Sequence, residues 1–135
     1  MTTSLGDGAR ALLDGVNLAV LTTLNNDGSP QSSVVWVGRD GDDVLVSSAA
    51  GRRKERNLRR DPRVSLCVLD AADPDRYVEV RGSARVTEDV GRRIAIALAE
   101  KYDGPEGGDE YRDLPEEHVR VAIRITPERL TGPAA

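Results

Sequence analysis

Residues 17–48 read NLAVLTTLNNDGSPQSSVVWVGRDGDDVLVSS: three apolar, β-branched runs separated by two turn signals. The first run, NLAVLTTL (17–24), stops at NNDG. The second, SPQSSVVWVG (29–38), stops at RDGDD, and the third is VLVSS (44–48). Asp and Asn next to Gly supply the positive φ that tight hairpins require, so the three runs are predicted to be hairpin-linked antiparallel strands.

Working outward, DGARALLD (7–14) predicts a short helix closed by Gly15. GRRKERNLRRDP (51–62) predicts a second helix, stopped because the residue before Pro62 resists helical geometry. RVSLCVLD (63–70) is a fourth strand. RYVEVRGSARV (76–86) alternates cleanly and sets Val78, Val80, Ala84 and Val86 on one face. Residues 87–102 predict a helix capped by Thr87, and the Gly/Pro-rich 103–117 a mobile loop. HVRVAIRIT (118–126) closes the chain with Val119, Val121, Ile123 and Ile125 buried. The whole predicts one mainly β domain over 1–135, with a core at 8–130: six antiparallel strands forming a small barrel with a few helices.

Composition limits the function. The 135 residues include 19 basic and 23 acidic ones, for a net charge of −4. A general nucleic-acid or membrane-surface binder is normally basic overall, so neither is expected as a partner. There is no Phe, one Trp and three Tyr, so the core must be aliphatic, and the aromatic platforms of single-strand binders are missing. A single cysteine excludes an internal disulfide. The N-terminus lacks a basic region followed by an apolar run, and no segment approaches the roughly 18 apolar residues of a spanning helix. The expectation is a soluble, cytoplasmic protein. His118 opens a strand as a surface residue and Cys67 is expected to pack in the core. No cluster has metal-ligand spacing, and no nucleotide-binding glycine motif occurs. No catalytic residue is identified, so any chemistry is expected to come from a bound cofactor.

The unusual segment is GRRKERNLRRDPR (51–63), with seven basic residues against Glu55 and Asp61 in an acidic protein. Arg52, Arg56, Arg59, Arg60 and Arg63 share a helical face, and Leu58 alone can dock the helix. Arg52, Arg53 and Lys54 fall at the helix N-terminus, where the backbone dipole is already positive and cations are unfavourable. Ser47 and Ser48 lie just upstream among small residues. A bound phosphate reconciles these features, because amides, hydroxyls and cations would converge on it.

This order of segments, with the run Lys54, Arg56, Asn57, Leu58, Asp61, Pro62 and the upstream DGSPQ, resembles the pyridoxamine 5′-phosphate oxidase-like split β-barrel superfamily. Within it the chain is most similar to the short actinobacterial flavin/deazaflavin oxidoreductases of the B type, dependent on coenzyme F420. The resemblance implies an FMN-binding split-barrel fold and a homodimer with cofactor clefts at the subunit interface. It places Gln31, Ser33, Val34, Val35 and Trp36 along the cofactor ring, and Val46, Ser47, Arg52, Lys54, Arg56 and Asn57 at the phosphate and ribityl chain. Tyr77 is placed at the cofactor of the other subunit. The implied activity is hydride transfer from reduced F420 to a small conjugated acceptor such as a quinone or enone. The alternatives are an FMN-dependent enzyme and a non-catalytic carrier of the cofactor. Vitamin B6 oxidation is not expected of a chain ending RLTGPAA.

Overall fold

The run predicted as one second strand is two strands. In the computed structural model, which describes residues 1–135, β1 (Ala19–Leu24) pairs with β2 (Pro30–Val35), whereas Gly38–Asp40 forms a separate β3 that pairs with β4 (Asp43–Ala49). The chain therefore changes partners across Trp36–Val37. After α1 (Asp7–Asp14) and these strands come α2 (Arg53–Arg60), β5 (Arg63–Leu69), β6 (Tyr77–Glu88), α3 (Arg93–Asp103), α4 (Asp109–Arg112) and β7 (Arg120–Thr131). All seven strands belong to one antiparallel sheet in the order β2-β1-β5-β6-β7-β4-β3. The two edge strands are thus consecutive in the chain, so the covalent link at Trp36–Val37 closes the barrel where no strand ladder does. The count is seven strands rather than six because this crossing splits the predicted second strand.

Backbone groups at the crossing cannot join a ladder and need other partners. α3 supplies them. The Val37 amide donates to the Tyr102 hydroxyl at 3.1 Å, and Lys101 Nζ donates to the carbonyls of Val37 (2.6 Å) and Leu13 (2.5 Å). Trp36 stacks on Tyr102, with ring centroids 5.1 Å apart. Burial pushes the Lys101 pKa down and the Tyr102 pKa up, consistent with side chains held in the wall rather than in water.

The core is aliphatic, as the composition requires. Leu12, Leu13, Leu21, Leu66, Val46, Val78, Val80, Ile123 and Ile125 are among its fully buried side chains, and Leu5 and Ala134 join it from the two ends of the chain. Inward and outward residues alternate along β1, β4, β5 and most of β6, the pattern of strands with one covered face.

Four local expectations change. Val119 lies before β7 and is exposed. Cys67 faces outward from β5, half-buried beside Glu79, and its thiol pKa is raised by burial and by that carboxylate; it is not a core residue. β6 runs on through Thr87 and Glu88, so α3 begins later than predicted. Its first amides are capped by Asp89, which accepts from Ile94 and Ala95 at 3.0 Å each, not by Thr87. The segment 103–117 contains the one-turn α4. No helix is long and apolar enough to cross a membrane.

Candidate functional site

α2 follows β4 and packs against β1 and β6. It has no side-chain cap, so its first-turn amides are open to solvent or a ligand. Glu55 turns back beneath this end. Its carboxylate accepts from the Gly51 amide (2.6 Å) and from Arg59 Nε (2.9 Å), and these bonds hold its pKa below the usual carboxylate range. One acid therefore offsets part of the first-turn charge from below, while the cations remain on the outer side.

Alternation decides which predicted residues reach the outside. On β2, Gln31, Ser33 and Val35 share one face with Val35 buried, whereas Val34 on the other face is 65% exposed. A strand cannot present all of these residues to one ligand. On β4, Val46 is fully buried in the core and Ser47 points the other way. The Gln31 amide oxygen meets the Thr23 hydroxyl, and the Ser33 hydroxyl is buried with no partner.

A cleft opens on this side of the barrel, lined by the outward Val34 and Ser47, the exposed Leu18 and largely buried neighbours. Leu18, Val34, Val35, Trp36, Ser47, Lys54, Ala95, Leu98, Tyr111 and Arg120 line a cavity of about 220 Å³. One wall is apolar and the far end is basic. Lys54 is half-buried, and its pKa is pushed down by burial, then by repulsion from Arg52 and Arg120. Arg120 Nη2 donates to Ser47 Oγ at 2.8 Å. None of Arg52, Lys54 and Arg120 has a carboxylate within ion-pair distance, although Arg59 and Arg63 nearby both do. Three mutually repelling cations beside a hydroxyl and an uncapped helix end suit an anion. The residues present therefore fit an aromatic cofactor carrying a phosphate. The orphaned Ser33 hydroxyl lies on the other face of β2 from Val34 and does not line the cleft.

The other predicted residues lie elsewhere. Arg56 is exposed and lines no part of the cleft. Tyr77 opens β6 and does not line the cleft of its own chain. Asn57 is fully buried, donating to Thr23 Oγ1 and Asn25 Oδ1 at 3.0 Å each, and it tethers α2 to the β1–β2 turn. Asn57→Ala is expected to lower the stability of the cofactor-free protein by about 1–3 kcal/mol, since it leaves buried partners unsatisfied. Urea denaturation checks this, and an unchanged midpoint would mean that the tether adds nothing to the fold. The sequence reading missed Leu18, Ala95, Leu98, Tyr111 and Arg120. Arg120 was legible only as an outward position of the last strand, and Tyr111 only as part of a loop.

No three His, Cys, Asp or Glu side chains converge as a metal site. A barrel with an outer cleft, apolar along one wall and basic at one end, belongs to the class of small barrels that hold a flat molecule by an anionic tether. The chain belongs to the pyridoxamine 5′-phosphate oxidase family, whose sequence pattern residues 5–132 match. It is 34% identical over 139 residues to an F420H2-dependent biliverdin reductase of Mycobacterium tuberculosis (strain CDC 1551 / Oshkosh), covering 98% of this chain and 91% of that protein. Among solved structures it is similar to an F420 reductase, with a TM-score of 0.78 and 30% identity over 94% of this chain and 98% of the other. It is also similar to a conserved hypothetical protein of M. tuberculosis, with a TM-score of 0.75 and 25% identity over 96% of this chain and 84% of the other.

Proposed function

We propose that this protein is a coenzyme F420-dependent reductase, acting as a homodimer on a small conjugated acceptor of the quinone or enone type. The observation that carries the reading is the unpaired cluster of Arg52, Lys54 and Arg120 beside Ser47, at the basic end of a cleft whose other wall is apolar. The F420H2-dependent biliverdin reductase and the F420 reductase, similar along nearly the full chain, support F420 over FMN, since the basic cluster itself would accept the phosphate of either.

Bound reduced F420 supplies the hydride. The chain supplies the rest. Lys54, Arg52 and Ser47 hold the anionic group, while Val34 and Trp36 give the ring an apolar wall. The α3 residues Ala95 and Leu98 narrow the space, which helps to keep water out and to orient the acceptor. No side chain of the cleft is placed as a dedicated acid, so the proton is drawn from solvent.

Paired fluorescence titrations with F420 and FMN test the cofactor, with tighter binding of F420 expected; equal or tighter binding of FMN would favour an FMN enzyme. Oxidation of reduced F420 is then followed across a quinone, an enone and biliverdin. Turnover of at least one is expected, and tight binding without any turnover would favour a cofactor carrier.

The homodimer rests on exposed apolar side chains around the cleft mouth. Leu18 is 53% and Val34 65% exposed and both line the cleft, apolar side chains that a second copy would cover. A second copy covering them would also leave its Tyr77 free to serve the cleft across the interface. Light scattering should give twice the 14.6 kDa chain mass; a monomer that still binds cofactor would defeat this.

A further inference from the structure

We infer that Arg120 is a third arm of the anion site, brought from the opposite end of the sequence to meet Ser47 and Lys54, and that it directly contacts the phosphate of the cofactor. The inference rests on the cofactor reading above. Arg120 opens β7 opposite Ala49 on β4, which sets its guanidinium diagonally across from Ser47. Nη2 is bonded to the Ser47 hydroxyl, but Nε is buried without any acceptor. A buried guanidinium nitrogen left unpaired is costly, and no carboxylate has been placed to answer it. Nη1 also has no protein acceptor and, unlike Nε, is not shut off from the surface, so an oxyanion in the cleft would find a free donor of the guanidinium fork.

The surroundings hold this side chain ready. The Tyr111 ring lies against the guanidinium, 5.0 Å from Cζ to the ring centroid, and stacking of this kind fixes the plane of an arginine. Tyr111 is itself fixed through its backbone. Arg92 donates to the carbonyls of Tyr111 (3.1 Å), Leu114 (2.7 Å), Pro115 (2.5 Å) and His118 (3.3 Å). Arg92 does so from a left-handed backbone conformation, φ 55°, which a non-glycine residue adopts at a cost. Arg120 is thus poised on the cleft wall before any ligand arrives, and little conformational freedom remains to be lost on binding. The sheet register brings it to Ser47, and the α4 segment orients it.

The test compares the full-length parent with Arg120→Gln and Arg120→Lys in F420 fluorescence titrations at fixed low salt, alongside the melting temperatures of the cofactor-free proteins. Arg120→Gln should bind F420 about 10- to 100-fold more weakly, the loss of one charge-assisted contact, without a fall in the cofactor-free melting temperature. Arg120→Lys should lie between, because it keeps the charge and loses the fork. Parent-like affinity in Arg120→Gln would overturn the inference while leaving the cofactor reading intact. If Arg120→Gln does not fold, Arg120→Lys decides, and parent-like affinity there overturns it. A parent that binds FMN and not F420 would overturn the F420 reading alone, and the same comparison made with FMN then decides Arg120. Binding of neither cofactor would overturn both.

Discussion

Lys54→Ala is expected to weaken cofactor binding about 10- to 150-fold, the equivalent of one charge-assisted hydrogen bond of roughly 1.5–3 kcal/mol. The cofactor-free protein should nonetheless be as stable as the parent or slightly more so. Lys54 is half-buried among Arg52 and Arg120, and both burial and that repulsion depress its pKa. Its charge is therefore unfavourable until an anion enters. Removing it relieves the empty site and impairs the filled one. Added cofactor should raise the melting temperature of the parent more than that of the variant, by mass action.

The direction of the pH effect follows from the same residue. Anion binding needs protonated Lys54, and its lowered pKa means the charge is lost on the alkaline side sooner than for an ordinary lysine. Affinity should accordingly fall with rising pH in the parent, and the fall should flatten in Lys54→Ala. Arg63 is the control. It lies in β5 and pairs with Asp61 at 2.7 Å, so Arg63→Ala should leave affinity nearly unchanged. Equal losses in both variants would reduce the site to a diffuse positive field. No loss in either would make α2 a solvated basic face.

Gly82→Ala is expected to cost about 3 kcal/mol or more, seen as a fall of about 10 °C or more in melting temperature. Gly82 lies in β6 at the register shift that bends the β6–β7 pair, opposite Pro127. Proline has no amide to offer the ladder, which suits it to such an irregular position. A methyl group added at Gly82 would sit 2.1 Å from the Thr126 carbonyl oxygen and 3.2 Å from Pro127 Cα. Both are backbone atoms of the neighbouring strand, so no side-chain rotation relieves the clash and the two longest strands must separate. Gly28→Ala makes the comparison informative. Gly28 has φ +85° with nothing within 4 Å of the added group, so only conformational strain acts, about 1 kcal/mol. A Gly82→Ala protein no less stable than Gly28→Ala would mean that the strand pair tolerates the added carbon by sliding.

Much of the architecture was legible along the chain. The turn signals at Asn25–Gly28 and Asp40–Asp43 marked two sheet reversals, Pro62 ended α2, and the aliphatic composition required the core that forms. Alternation put Val78, Val80 and Ala84 inward, as they are. The cations of α2 stood out because charge there conflicts with a helix N-terminus, a local conflict that needs no neighbour to be noticed. Ser47 and Lys54 were therefore singled out from sequence, and both line the cleft. Trp36, named through the family resemblance, lines the cleft as well, although its stacking on Tyr102 was not legible.

The strand crossing at Trp36–Val37, the anchoring of that link by Lys101 and Tyr102, the internal duty of Asn57 and the arrival of Arg120 beside Ser47 were decided only by the tertiary structure. Periodicity tells which way a side chain faces from its own strand, but not which strand lies next to it or in what register. Arg120 follows Ser47 by 73 residues, and they meet because β7 is inserted between β6 and β4 when the sheet curls shut. That closure is set by the packing of the whole aliphatic core, a property spread over many residues and written in no single stretch of the sequence.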